Sequence, residues 1–205
     1  MRSVRVVAVI AATLLTLPGV TACTGDDGPD AAPSPTPQPT PLADLATDQM
    51  AVARDSFCAR VAPAAVDEAL GAPAEDEADW SNGERAAVGG VTDVVHEFGC
   101  RWRAADGTAA SGWVFAPPVA PDQAAALRRA AARAEGCREV AGAPAYGSTS
   151  VAVRCADGAG PVTTSFHGLF GDAWLSCSLE SPGTDGDLVA RAEQWCATVL
   201  AAATA

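Results

Sequence analysis

Residues 94–115, VVHEFGCRWRAADGTAASGWVF, decide the fold class. Val94, His96, Phe98, Cys100 and Trp102 alternate with Val95, Glu97, Gly99, Arg101 and Arg103, the period of two that marks a half-buried strand. Asp106-Gly107 then supplies the dipeptide of a tight hairpin turn. Ser111, Trp113 and Phe115 line one face of the return strand, and Pro117, Pro118 and Pro121 stop it. Two strands joined this closely pair antiparallel.

Working outward, residues 122–135 are Ala-rich and predict a helix that Gly136 closes before Cys137. The plan then repeats. Val151, Val153 and Cys155 alternate, Asp157-Gly158 turns the chain, and Val162, Thr164 and Phe166 return. Gly171-Asp172 turns it again into Ala173, Leu175, Cys177 and Leu179, with Trp174 on the opposite face. A helix then hydrophobic hairpin thus occurs twice, a weak sign of internal duplication. Thr184 and Asp187 resemble a capping box, and Leu188, Ala192, Trp195, Val199 and Leu200 form an apolar stripe at helical spacing. Upstream, residues 42–57 predict a helix leading to Cys58. Residues 63–70 predict a short helix, with Pro63 in its first turn and Gly71 past its end. Residues 72–91 are polar and Gly-rich and predict a loop containing Trp80. The expected fold is α+β: an antiparallel sheet of about five strands with helices packed on one face, in the order α-β-β-α-β-β-β-α, stapled by disulfides.

Residues 1–22 have the organisation of an export signal. Arg2 and Arg5 precede an apolar run from Val6 to Leu17, and Pro18-Gly19 ends it. That run is too short for a hydrocarbon core of about 30 Å and has the size of a signal-peptide core. Val20-Thr21-Ala22-Cys23 reads as a lipobox, which predicts cleavage before Cys23 and lipid on that cysteine. Two acyl chains give stable anchoring where one does not. Residues 23–41 then form a lipidated N-terminus and a Pro-rich tether of extended character. Residues 42–205 form one α+β extracytoplasmic domain. The expected location is the outer face of the cytoplasmic membrane.

Cys58, Cys100, Cys137, Cys155, Cys177 and Cys196 remain once Cys23 is set aside. An even number in an exported chain reads as disulfides. Fifteen pairings exist and the sequence does not choose among them, though the layout favours 58–100, 137–155 and 177–196, each expected to fasten a helix to the sheet. No C-x-x-C or Cys/His spacing suggests a metal, and no cofactor is expected.

All 13 basic residues are Arg, a compositional signature of a GC-rich genome. Beyond the signal, 11 Arg against 25 acids leave a charge near −14, which repels phosphate backbones and argues against nucleic acid. The expected partners are the membrane, through lipid on Cys23, and an envelope protein or small ligand.

The lipobox, the Pro-rich tether, Cys58 followed by a short helix ending in Ala69-Leu70-Gly71, and Phe98-Gly99-Cys100-Arg101-Trp102 on a strand together resemble the actinobacterial lipoproteins grouped as DUF3558. The similarity is best from Cys58 to Trp102 and loose at Trp174–Cys177 and Glu193–Cys196. It implies an envelope location and an α+β fold, and it carries no catalytic residue.

Catalytic motifs are absent. There is no G-x-S-x-G, and a chain without lysine has neither S-x-x-K nor a P-loop. His96, on the core-facing side of its strand, is expected to be a hydrogen-bonded structural residue, with a general base as the rival reading. His167 is expected to be solvated. Asp76, Glu77 and Asp79 near Trp80 read as a polar loop rather than a cation site. Trp102, Trp113 and Trp195 fall on expected core stripes, which leaves Trp174 as the candidate exposed aromatic, with Trp80 as a second contact residue. Three readings stand: a non-enzymatic binding module, an envelope-acting enzyme using His96 or the acidic loop, and a passive structural lipoprotein.

Overall fold

A computed structural model of the chain describes residues 40–88, 91–156, 158, 160–183 and 186–204. The expected export signal, Cys23, nearly all of the expected tether, Asp157 and Thr184 lie outside the described residues.

The architecture is α+β, built on an antiparallel sheet. Its strands are β1 (Asp76–Trp80), β4 (Glu97–Arg103), β5 (Ala109–Phe115), β6 (Cys137–Glu139), β7 (Ser150–Ala156), β8 (Val162–Phe170) and β9 (Ala173–Ser181). They lie in the order β1-β4-β5-β9-β8-β7-β6. A separate hairpin, β2 (Arg85–Val88) with β3 (Val91–Val94), rises between β1 and β4. The sheet has seven strands where about five were expected. The residues expected as a loop supply edge strand β1 and the small hairpin, and Cys137 opens the three-residue edge strand β6 instead of ending a helix. Edge strands escape periodicity because they are short and mostly solvated.

Helix α1 (Pro63–Leu70) starts on its proline and ends at Gly71, whose φ of 74° admits the left-handed cap. Helix α3 (Leu188–Thr204) buries Leu188, Ala192, Trp195, Val199 and Leu200 against the sheet. Gly112 on β5 lets Val199 approach, since a Cβ there would come within 2.9 Å of it. These two helices cover the face that carries Cys100, Trp102, Phe166, Leu175, Cys177 and Leu179. Trp102 and Trp195 meet edge to face with centroids 5.5 Å apart, and the Trp195 Nε1–H donates to the Ser111 carbonyl at 2.9 Å.

Helix α2 (Pro121–Ala132) corrects the expectation of helices on one face. It lies across the opposite face, where Ala124 packs with Val119, Leu169 and Trp174 in a second cluster. Arg128 ties it down, donating from Nε to the Ser150 carbonyl at 2.9 Å and pairing with Glu139 at 3.0 Å. Residues 42–57 are not a helix either. They make two 3-10 turns, Leu42–Asp44 and Thr47–Gln49, and wrap the domain with Leu42, Val52 and Phe57 buried. The apolar spacing there is too irregular for one helical stripe.

Three disulfides join Cys58 to Cys100, Cys137 to Cys155 and Cys177 to Cys196, the pairing the layout favours. The first links a 3-10 turn to β4 and the third links β9 to α3. The second differs from expectation: it joins directly opposed residues of neighbouring strands β6 and β7. No helix among the described residues is long and apolar enough to cross a membrane.

Candidate functional site

Strand alternation gives the sheet a second face, and α2 covers the part over β6, β7 and β8, with Trp174 of β9 and Phe115 of β5 packed in the same cluster. The strand register lines up the rest. One row reads Trp80, Gly99, Trp113, Ser176, His167 and Val151 across β1, β4, β5, β9, β8 and β7. The next reads Ala78, Arg101, Ser111, Ser178, Ser165 and Val153. Aromatic and hydroxyl side chains therefore share this face, with Ser111, Trp113, His167 and Ser178 half-buried and Trp80, Ser165 and Ser176 buried.

Gly99 is required in the first row. The Trp80 ring fills the place where a Gly99 side chain would stand, with the Trp113 Cβ on its other flank. Trp80 is itself 8% exposed and donates its Nε1–H to Glu97 at 3.0 Å. Burial raises the Glu97 pKa, and the Trp80 hydrogen bond partly opposes that rise. Trp113 is half-buried and stands edge-on to His167 at 6.3 Å.

His167 sits between two hydroxyls, with Nδ1 2.8 Å from Ser176 Oγ and Nε2 3.0 Å from Ser165 Oγ. A neutral imidazole satisfies both, donating to one serine and accepting from the other. Burial pushes its pKa down to about 4, so it is uncharged at neutral pH. A serine beside a histidine invites comparison with a nucleophile and base. Here, however, Ser176 is 1% exposed in mid-strand, and serines occupy both ring nitrogens so that no carboxylate orients the ring. The cluster holds shape and hydrogen-bonding capacity rather than a poised attack.

The residues singled out in the sequence exchange places. Trp174, expected exposed, is 3% exposed beneath α2, and Trp80 is buried over Gly99. Trp113, expected in the core, is on the open face. His96, expected to face the core, is exposed ahead of β4, whereas His167 is half-buried. Asp76 and Glu77 project from opposite faces of β1, and Asp79 shares the Glu77 face, so the three do not converge on one point. Among the described residues no group of three His, Cys, Asp or Glu side chains is placed to hold a metal. The alternating hydroxyls of Thr163-Ser165-His167 and Ser176-Ser178-Glu180 were the available signal for the polar face.

A groove of about 260 Å³ lies beside α1, between Cys58 and edge strand β1. No protein-family model matches the chain, and a comparison with curated proteins found no match.

Proposed function

We propose that this chain is a lipid-anchored extracytoplasmic lipoprotein of the cell envelope, resembling the DUF3558 group, whose folded domain is a non-enzymatic binding module. The lipobox at Val20–Cys23 supports the anchor. Three disulfides formed among six cysteines accord with an oxidising compartment. The observation that carries the binding role is Trp113, half-buried on the part of the sheet beyond α2, with Ser111 and Ser178 half-buried in the neighbouring row. Such a surface offers one large aromatic area with fixed hydrogen-bonding groups around it.

Two measurements test this reading. Mass spectrometry of the membrane-associated protein should find the mature N-terminus at Cys23 carrying diacylglycerol, and Cys23→Ala should release the protein from the membrane. An unmodified Cys23 removes the anchor from the proposal. A photo-crosslinking amino acid replacing Trp113 should yield a discrete adduct in intact cells, with none from the same group at exposed Arg129. Equal labelling at the two positions would sink the sheet face as the binding surface.

A further inference from the structure

The outer edge of β1 and the groove beside it meet at one place, and their properties converge. β1 ends the sheet, so its outward N–H and C=O groups have no strand partner among the described residues. Asp76, Glu77, Ala78 and Asp79 are all exposed, and Glu75 precedes them. Glu77 stands opposite Trp102 in the register and therefore faces the groove. Val61, Pro63, Val66 and Trp102 give that groove an apolar lining, and Asp67 and Glu77 add carboxylates. The Trp102 indole N–H, unlike those of Trp80 and Trp195, has no hydrogen-bond partner among the described residues, and it is not one of their fully buried polar atoms.

We propose that this edge is a docking site for a basic, extended segment of a partner protein, which adds as a strand outside β1. Strand addition supplies main-chain hydrogen bonds, and a pocket for alternate side chains supplies selection. Pocket size points to the same occupant. About 260 Å³ falls below the roughly 300–1,000 Å³ of small-molecule sites, but it takes one long side chain. The stem of an arginine or lysine lies on Val61, Pro63 and Val66, its charged head meets Asp67 and Glu77, and a main-chain carbonyl accepts the Trp102 N–H. Charged edges also serve to prevent pairing. Here the sign matters: acids repel a second copy of this chain, whose formal charge is −12, and attract a cationic strand.

The full chain in detergent, titrated with an acetylated alternating arginine–valine hexapeptide amide, tests this by hydrogen exchange. The expected result is at least tenfold slower exchange within residues 76–80, and at least tenfold weaker binding by the paired variant Glu77→Arg with Asp79→Arg. Both side chains are exposed, so the variant should keep its melting temperature. Ala74→Phe, an exposed position on the groove lining that narrows it without changing charge, should weaken the peptide too, while Trp113→Ala should not. Binding without protection in β1, or equal binding by the glutamate–valine counterpart, overturns the proposal. Sensitivity to Trp113→Ala would move the peptide to the sheet face.

Discussion

His167 has both ring nitrogens committed to serine hydroxyls, and the fold therefore stabilises the neutral imidazole. Its pKa of about 4 lies below the ordinary 6.5. Between those values the unfolded chain binds more protons than the folded one, so this residue's contribution to stability falls as pH falls from 6.5 to 4 and is level above. The loss should be on the order of 1–3 kcal/mol, toward the lower end because the ring partly meets solvent. Denaturant midpoints at pH 7.5 and 4.5 measure it. His167→Gln should flatten the difference relative to the parent, and an unchanged difference would mean that other groups carry the pH response. Gly168 gives a second test. A Cβ there would run into the Tyr146 carbonyl, which is backbone and cannot swing aside, whereas one at Gly183 meets nothing within 4 Å. Gly168→Ala should cost about 3 kcal/mol in chemical unfolding, and Gly183→Ala about 0.5 or less. Equal costs would contradict the packing at Tyr146.

At the scale of elements, the three disulfides are not equivalent. Cys100, Cys177 and Cys196 are fully buried and Cys58 nearly so, while Cys137 and Cys155 are half-buried at the sheet edge. Thiol exchange requires the attacking thiolate to reach a sulfur. A mild dithiol reductant should therefore open Cys137–Cys155 first, becoming a cyclic disulfide as the protein gains two thiols. The short strand β6 is also held by Arg128 on α2, so circular dichroism should change little at that stage. Differential alkylation with mass spectrometry reads the order, and early labelling of Cys177 or Cys196 would refute it. Element-level patterning was legible in the long segments α1, α3, β4, β8 and β9, which follow their apolar periods, whereas β5 turns Ala110, Gly112 and Val114 to the core and Trp113 away from it. It failed at β1 and β6, which are short edges, and at residues 42–57, whose burial is set by the surface they wrap.

For the whole molecule, each disulfide contributes about 2–4 kcal/mol against a domain stability of roughly 5–15 kcal/mol. Reduction carried through all three should abolish the cooperative unfolding transition, and a sharp transition surviving it would show that the hydrophobic core suffices alone. By itself the sequence determined the α+β class, the antiparallel pairing, the cysteine layout and the acidic surface, because these rest on period, turn residues and composition. It also determined which side chains share a face. Which face is covered was decided only by the tertiary structure. A period of two states that Trp174 and Leu175 point opposite ways, but not that α2 will cross to the far side and bury Trp174. That one docking choice buried Trp174 and left Trp113 half-buried on the part of the face beyond α2.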